Sequence, residues 1–206
     1  MKDKRLIAGL GLAGLIAAGL VAPARARARL EQPPYDLLRR LDSGVVIRRY
    51  GPRLSARTPM AGEDDAPAYR RLAAYVLGEN HASDGSGAEI GMTAPVEVGP
   101  VGLGLPGHVR FFMPARFTAQ TLPAPDDPRV TVETVPEQVL AVLRFAGSGR
   151  GEAAAKWRAR LLDALARTPW RPKDEPMMFF YDAPWVPGPL RRNEIVVEVE
   201  PVSATA

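Results

Sequence analysis

Cysteine is absent from this 206-residue chain, and histidine occurs only at His81 and His108. The absence of cysteine excludes disulfide scaffolds, thiolate metal sites and a lipid anchor attached to an N-terminal cysteine. Neither histidine lies in H-E-x-x-H spacing, so the sequence contains no zinc-protease motif, and any histidine-based metal site or serine triad depends on these two residues. The length is sufficient for one domain with its own hydrophobic core.

Excess positive charge is also lacking outside the N-terminal segment. The net charge is +4, but residues 1–29 hold six lysines and arginines against one aspartate, which is +5 and leaves about −1 for residues 30–206. Binding to nucleic acid needs a concentrated basic face on the folded domain. We therefore expect no nucleic-acid partner.

The N-terminal segment has the pattern of an export signal. A basic start, "MKDKR", precedes residues 6–24, which contain no charged residue, and "APA" and "ARA" offer small-residue cleavage sites. The uncharged run is also close to the length of about 20 residues that a membrane-spanning helix needs. The sequence predicts that residues 1–29 are a signal peptide or an uncleaved membrane anchor. The domain, residues 30–206, is then periplasmic or anchored to the inner membrane.

The remaining sequence contains the same order of predicted elements twice. Two strands, an amphipathic helix and two further strands follow one another in residues 35–115, and the same order returns in residues 128–201. "VVIRRYGPRLSARTPM" corresponds in this way to "VTVETVPEQVLAVLRF". The pattern predicts two duplicated ββαββ halves. It favours an α+β domain with one curved antiparallel sheet or open barrel, both helices on one side, and a ligand at the junction of the halves.

The first helix is predicted from "DDAPAYRRLAAYVLGEN", which has apolar residues at helical spacing and Gly78 near its end. "GEAAAKWRARLLDALART" predicts the second helix. The apolar positions of the first helix are Tyr69, Leu72, Ala73, Val76 and Leu77.

"EIGMTAPVEV" resembles a strand but contains Pro95, which cannot donate a hydrogen bond to a neighbouring strand. We expect "EIGMT" to pair in the sheet and the chain to bend at "APV", beside the first helix. A second unusual segment, "RRNE" at residues 191–194, precedes an apolar strand. Two interpretations remain open for it: a charged turn, or a fixed polar cluster that holds the last strand or faces an anionic ligand.

Several of these segments together resemble the SOUL haem-binding protein family. They occur in the family's order over residues 35–201: "VVIRRYGP", "YRRLAAYVLGEN", "IGMTAPV", "VRFFMP" and "YDAPWVPGPLRRNEIVVEV". The combination of "GMTAPV" and "RRNEI" is specific. The resemblance implies a distorted eight-stranded antiparallel barrel flanked by two helices, built from duplicated halves and similar to the effector-binding domains of bacterial transcription regulators.

The resemblance also implies binding of non-covalent b-type haem, or of another tetrapyrrole, in an apolar groove beside the first helix. Arginine side chains there would reach the haem propionates. Haem iron takes a histidine, methionine, cysteine or tyrosine ligand, and no histidine precedes His81, which is therefore the candidate axial ligand. Tyr69, Tyr75 and Met92 are weaker candidates. The candidate binding residues are Tyr69, Arg70, Arg71, Leu72, Ala73, Val76, Leu77 and Met92.

Two other functions remain open. The domain could bind different amphipathic small molecules, as related effector-binding domains do. Alternatively it could be a hydrolase with Glu79, Glu89 or Glu194 as an acid of perturbed pKa inside the groove. We expect a non-catalytic binding protein, in contact with a membrane only through its N-terminal segment.

Overall fold

The structure is a computed structural model that describes residues 25–62, 64–100 and 107–202. It is a mixed α+β fold in which both predicted helices are confirmed. The elements, in chain order, are β1 (Tyr35–Arg40), β2 (Val46–Tyr50), β3 (Arg53–Pro59), α1 (Ala66–Leu77), β4 (Asn80–His81), β5 (Val96–Gly99), β6 (His108–Phe112), β7 (Ala124–Pro125), β8 (Thr131–Val135), β9 (Gln138–Phe145), α2 (Glu152–Leu165), β10 (Trp170–Pro172), β11 (Met177–Phe180), a 3-10 turn (Gly188–Leu190) and β12 (Asn193–Pro201).

Ten of these strands form one antiparallel sheet in the order β1-β2-β9-β12-β11-β5-β6-β3-β8, with β10 paired to β12. Its end strands, β1 and β8, do not pair with each other in the described part of the chain. The sheet is thus open at both ends, and it is curled into a half-barrel. The predicted antiparallel α+β class is confirmed, whereas the strand count of eight is not. The short strands β4 and β7 form a separate ribbon.

The strand order has a two-fold pattern. The eight strands from β2 to β8 keep the same order, read from the opposite end of the sheet, when β2 is exchanged with β8, β3 with β9, β5 with β11 and β6 with β12. The first strand of each predicted half pairs with the second strand of the other, and β5 pairs with β11 at the centre. This order is the one that a duplicated ββαββ unit would produce. The duplication itself remains a prediction.

Both helices cover the same face of the sheet. Buried side chains of α1, including Leu72 and Val76, pack with Val109 of β6, and Leu161 of α2 packs with Met178 of β11. Met178 is the cross-strand partner of Val98, which belongs to the α1 cluster, so the two side chains project from the same face. The helices therefore lie side by side, with the central strand pair β5 and β11 between them.

Pro95 lies directly before β5, outside any regular strand, as predicted. The prediction that "EIGMT" pairs in the sheet is wrong. The Ile90 N–H donates to the Val76 carbonyl at the end of α1, and the Thr93 hydroxyl donates to the Phe112 carbonyl. Within this stretch only Thr93 forms an isolated bridge, to Glu31. These bonds tie the segment to α1 and β6, and regular pairing begins at Val96.

The predicted signal or anchor segment falls largely outside the described residues, because residues 1–24 are not among them. Residues 25–28 form a short helical turn. Among the described helices, none combines the length and the apolar character that crossing a bilayer requires.

Candidate functional site

A cavity of about 480 Å³ lies between α1 and the loop that precedes α2. Its volume is within the range of about 300–1,000 Å³ that is typical of small-molecule sites. Val96 and Val98 of β5 and Phe180 of β11 contribute to its lining, so the cavity lies over the central strand pair. Both predicted halves contribute to the walls. The lining residues are Leu30, Asp65, Ala66, Tyr69, Arg70, Met92, Thr93, Ala94, Val96, Val98, Val109, Gly147, Ser148, Gly149, Arg150, Phe180, Tyr181, Asp182, Ala183, Pro184, Arg191 and Asn193.

An ion pair connects the two sides of this cavity. Asp65, at the N-terminal end of α1, lies 2.5 Å from an Arg150 guanidinium nitrogen in the loop before α2. The Arg150 guanidinium also lies over the Phe180 ring, 5.3 Å from its centroid. The Arg150 side chain is 58% exposed, so water screens this pair and it contributes little to stability. The pair joins elements from the two predicted halves across the cavity.

Two other arginines border the cavity without a carboxylate partner in the described residues. Arg191 donates from Nε to the Val186 carbonyl, 2.6 Å away, and from Nη2 to the Pro184 carbonyl. Arg70 is exposed and forms no ion pair with another described residue. The positive charge of both side chains is therefore available to an anionic group of a ligand.

Asn193 supplies a polar atom that has no partner in the described structure. Its side-chain Nδ2 donates to the Gly147 carbonyl at 2.9 Å, and this bond fixes the orientation of the amide. Oδ1 is buried and accepts no hydrogen bond. An unsatisfied buried acceptor costs about 1–3 kcal/mol, so a donor on a bound ligand that reached it would be favourable.

Three of the predicted binding residues come together in this cavity: Tyr69, Arg70 and Met92. Tyr69 packs edge to face on Phe111, with ring centroids 5.3 Å apart. Its partial burial raises the pKa of the phenol. Met92 is half-buried in the segment before β5.

The other predicted residues of α1 lie elsewhere. Leu72 and Val76 are fully buried in the core beneath the helix, and Leu77 is 65% exposed. Arg71 donates to the Thr58 hydroxyl at 2.6 Å and lies 3.4 Å from an Asp127 carboxylate oxygen. Ala73 is half-buried and is not one of the lining residues. The reason is geometric: the apolar stripe of α1 faces the sheet, whereas the cavity lies beside the first turns of the helix.

Neither histidine borders the cavity. His81 lies on the β4 and β7 ribbon, where Nδ1 is 2.7 Å from Asp126 Oδ1 and both side chains are 54% exposed. His108 lies on β6, with Nε2 2.9 Å from Glu97 Oε1. Since Val109 faces the helices, His108 points to the opposite face of the sheet.

The second half of the chain provides lining residues that were not among the predicted binding residues. They come from residues 147–150, 180–184, 191 and 193. The only sequence signal for them was the polar segment "RRNE". Glu194 of this segment accepts hydrogen bonds from Arg192 and from Arg48 of β2, so the segment is a fixed polar cluster that holds β12, as one of the two interpretations predicted. Arg191 and Asn193 line the cavity.

Glu194 lies on the other face of the sheet and takes no part in the cavity. Its carboxylate accepts hydrogen bonds from Arg48, Arg192 and the Tyr181 hydroxyl. Burial alone would raise the pKa of Glu194, but the hydrogen bonds and charges of Arg48 and Arg192 outweigh it and lower the pKa. Glu79 and Glu89 are exposed. None of the three glutamates therefore provides a perturbed acid in the cavity.

Comparison with known proteins agrees with this fold. The family model described as SOUL heme-binding protein matches residues 30–198, and the chain therefore belongs to the SOUL family. No curated protein matches the sequence significantly. Similar solved structures include the EcmrR C-terminal domain, at 12% identity and a TM-score of 0.55, which covers 82% of this chain and 99% of that one.

Two further solved structures have the same fold. A hydrolase from Listeria innocua has 13% identity and a TM-score of 0.54, over 75% of this chain and 91% of that one. EcmrR in an EcmrR-DNA complex has 10% identity and a TM-score of 0.57, over 96% of this chain and 70% of that one. At these identities the similarity shows the fold alone.

Proposed function

We propose that this SOUL family protein binds haem or another planar tetrapyrrole, non-covalently, in the cavity between α1 and the loop before α2. The observation that carries the proposal is the cavity itself: about 480 Å³, with valine, methionine and aromatic side chains in its lining, at the junction of the two predicted halves. We also propose that the protein binds this ligand in the cell envelope, to which its N-terminal segment would direct it.

The side chains fit the body and the carboxylates of a porphyrin. Phe180, Val98 and Met92 offer apolar surface to a flat ring. Arg70 and Arg191 offer guanidinium groups without a carboxylate partner among the described residues, and such groups pair favourably with propionates. Asn193 Oδ1 would accept a hydrogen bond from a ligand donor.

The cavity contains few side chains that could ligate the haem iron. Three lining residues are of types that serve as axial ligands in haem proteins: Met92, Tyr69 and Tyr181. The Tyr181 hydroxyl donates to Glu194, whereas the side chains of Met92 and Tyr69 have no hydrogen-bond partner among the described residues. Haem bound in this cavity would therefore be held by Met92 or Tyr69. Ligation by His81 remains the alternative proposal and requires the haem to lie outside the cavity.

Haemin titration of the full chain, purified in lipid nanodiscs and corrected for empty nanodiscs, tests the proposal. We expect a saturable shift of the Soret band at micromolar protein. Met92→Leu or Tyr69→Phe should change the position of the band, and His81→Ala should leave it unchanged. A linear, non-saturable response would contradict haem binding. A change with His81→Ala alone would move the site to the β4 and β7 ribbon.

A second candidate ligand is a different amphipathic small molecule that contains no iron. The absence of a histidine from the described lining favours it, because such a ligand needs apolar walls and polar contacts but no axial ligand. Metal-free protoporphyrin and haemin separate the two. Equal thermal stabilisation by both indicates recognition of the ring and its carboxylates, whereas stabilisation by haemin alone indicates coordination of iron.

SOUL is a binding family, and the protein is proposed to be non-catalytic. A hydrolase needs an acid or base beside its substrate, with a pKa tuned to that task. Glu79 and Glu89 are exposed, and the two acids that border the cavity, Asp65 and Asp182, are both paired with arginine. No described residue of the cavity therefore combines the features expected of a general base.

A further inference from the structure

A tryptophan projects into solvent beside the cavity. Trp185 is 84% exposed, the highest exposure among the large apolar side chains of the described residues. It follows Ala183 and Pro184, which both line the cavity. We call residues 182–190, between β11 and β12, the Trp185 loop. Tryptophan is enriched at protein contact surfaces and at membrane interfaces, where its ring is buried in apolar surroundings while the indole N–H stays hydrated.

An ion pair links the first described residues of the chain to this loop. Arg27 forms an ion pair with Asp182, whose side chain is only 3% exposed. The same Asp182 carboxylate accepts the backbone N–H of Arg192 at 2.6 Å. Leu30 continues from this segment into the lining of the cavity. Arg27 therefore links the segment that follows position 24 to the Trp185 loop.

The sequence before this point indicates what covers the loop. Residues 6–24 carry no charge, and the arginines at positions 25, 27 and 29 follow at once. Uncharged runs of about this length suit the interior of a bilayer, and the basic residues that follow suit its anionic headgroups. Tryptophan is enriched at the same membrane interface. The Arg27–Asp182 pair places the described basic residues beside the loop that carries Trp185.

We propose that the Trp185 loop is a membrane-contact surface, and that it places the cavity beside the headgroups of an anionic bilayer. Trp185 lies in the interface, and Arg25 and Arg29, which are both exposed, face the anionic lipids. A lipid-dissolved amphipathic ligand then enters the cavity past Ala183 and Pro184. The membrane contact is independent of the ligand, whereas the route of the ligand rests on the proposed function.

The lack of cysteine allows a direct test with the full chain. Trp185→Cys creates a single labelling site for an environment-sensitive fluorophore, and Ser86→Cys is the matched control. Ser86 is exposed in the loop after β4, past the C-terminal end of α1, whereas the cavity lies beside its first turns. Both variants are incorporated into vesicles of phosphatidylglycerol and phosphatidylethanolamine, with or without a headgroup quencher.

We expect the label at position 185 to be blue-shifted and quenched at least several-fold more than the label at position 86. Arg27→Gln in the Trp185→Cys background should reduce this difference, because it breaks the pair that holds the loop to the N-terminal segment. Equal quenching at both positions overturns the proposal. A blue shift at position 185 that depends on protein concentration and not on lipid also overturns it, since it indicates a protein partner.

A transfer measurement separates this proposal from the proposed function. Trp185→Ser should slow the transfer of protoporphyrin from vesicles to the full chain while leaving the affinity measured in detergent unchanged, because Trp185 does not line the cavity. Quenching at position 185 without any porphyrin binding upholds the membrane contact and contradicts only the proposed ligand. Unchanged transfer by Trp185→Ser contradicts the entry route.

Discussion

Arg48 and Glu194 form a two-bond ion pair inside the curled sheet, with Nη1–Oε2 and Nη2–Oε1 distances of 2.8 and 3.1 Å. They lie on β2 and β12. On the strands that correspond to these in the two-fold order, β8 and β6, Glu133 and Arg110 form another ion pair at 2.8 Å with the charges exchanged. An ion pair therefore joins corresponding strands in both predicted halves, with the positive and negative residues exchanged.

Removing one member of the buried pair should destabilise the fold strongly. Glu194→Gln leaves Arg48, 6% exposed, and Arg192 without a balancing charge, and we expect a loss of about 3–5 kcal/mol in the free energy of unfolding. Urea unfolding followed by circular dichroism measures it. Glu137→Gln is the control, because its pair with Arg49 spans 3.9 Å at an exposed site and should change stability by less than about 1 kcal/mol. Equal effects of the two substitutions would contradict this assignment.

The same carboxylate predicts a pH dependence. The folded-state pKa of Glu194 lies below its ordinary value of 4.5, so the ionised group stabilises the fold above pH 4.5. This contribution is lost as the pH falls from that value through the lower folded-state pKa. The difference in unfolding free energy between the unaltered chain and Glu194→Gln should therefore shrink on acidification. A difference that grows below pH 4.5 would reverse the sign of the proposed shift.

Gly149 is a site where one methyl group should disturb the cavity. A Cβ at this position would lie 2.9 Å from Phe180 Cε1 and 3.3 Å from Phe145 Cζ. We expect Gly149→Ala to cost about 1–3 kcal/mol in stability and to weaken ligand binding, because the Phe180 ring must shift. Gly51→Ala is the matched control, since nothing lies within 4 Å of its Cβ position. Thermal unfolding and porphyrin titration of both variants give the comparison.

Arg70 and Arg71 are adjacent in the chain but should differ in their effect on binding. Arg70 borders the cavity, whereas Arg71 is engaged by Thr58 and Asp127. We expect Arg70→Gln to weaken the binding of a dicarboxylate porphyrin about three- to tenfold, a modest effect because the guanidinium is exposed to solvent. Arg71→Gln should leave the affinity unchanged. With a porphyrin dimethyl ester the two variants should bind equally, and a loss that persists with the ester would assign Arg70 a role other than binding carboxylates.

The order of elements was predictable from the sequence because it follows from local patterns. Leu72 and Val76 recur at helical spacing and are buried as that spacing requires, and Gly78 ends the helix with a φ of 125°. Pro95 was correctly placed outside a regular strand, since it has no N–H to donate. The prediction for "EIGMT" failed because its hydrogen bonds go to the end of α1 and to β6, which are remote in sequence.

The candidate site was predictable only in part. Tyr69, Arg70 and Met92 were named from the family resemblance and lie at the cavity, but the same reasoning included Leu72 and Val76, which are buried beneath α1. An apolar position on a helix has the same sequence signature whether it packs on a sheet or lines a cavity. His81 could be recognised as a potential iron ligand, yet its place on the β4 and β7 ribbon depends on strand pairing.

The sequence by itself determined the family, the two helices, the break at Pro95 and the uncharged segment that precedes Arg25, because each of these depends on neighbouring residues or on a regular spacing of apolar side chains. The tertiary structure alone decided that Asp65 pairs with Arg150, that Arg27 pairs with Asp182, and that residues from both predicted halves line one cavity. These contacts join positions far apart in the chain. They form only when the strands pair across the two predicted halves and bring both helices to one face of the sheet.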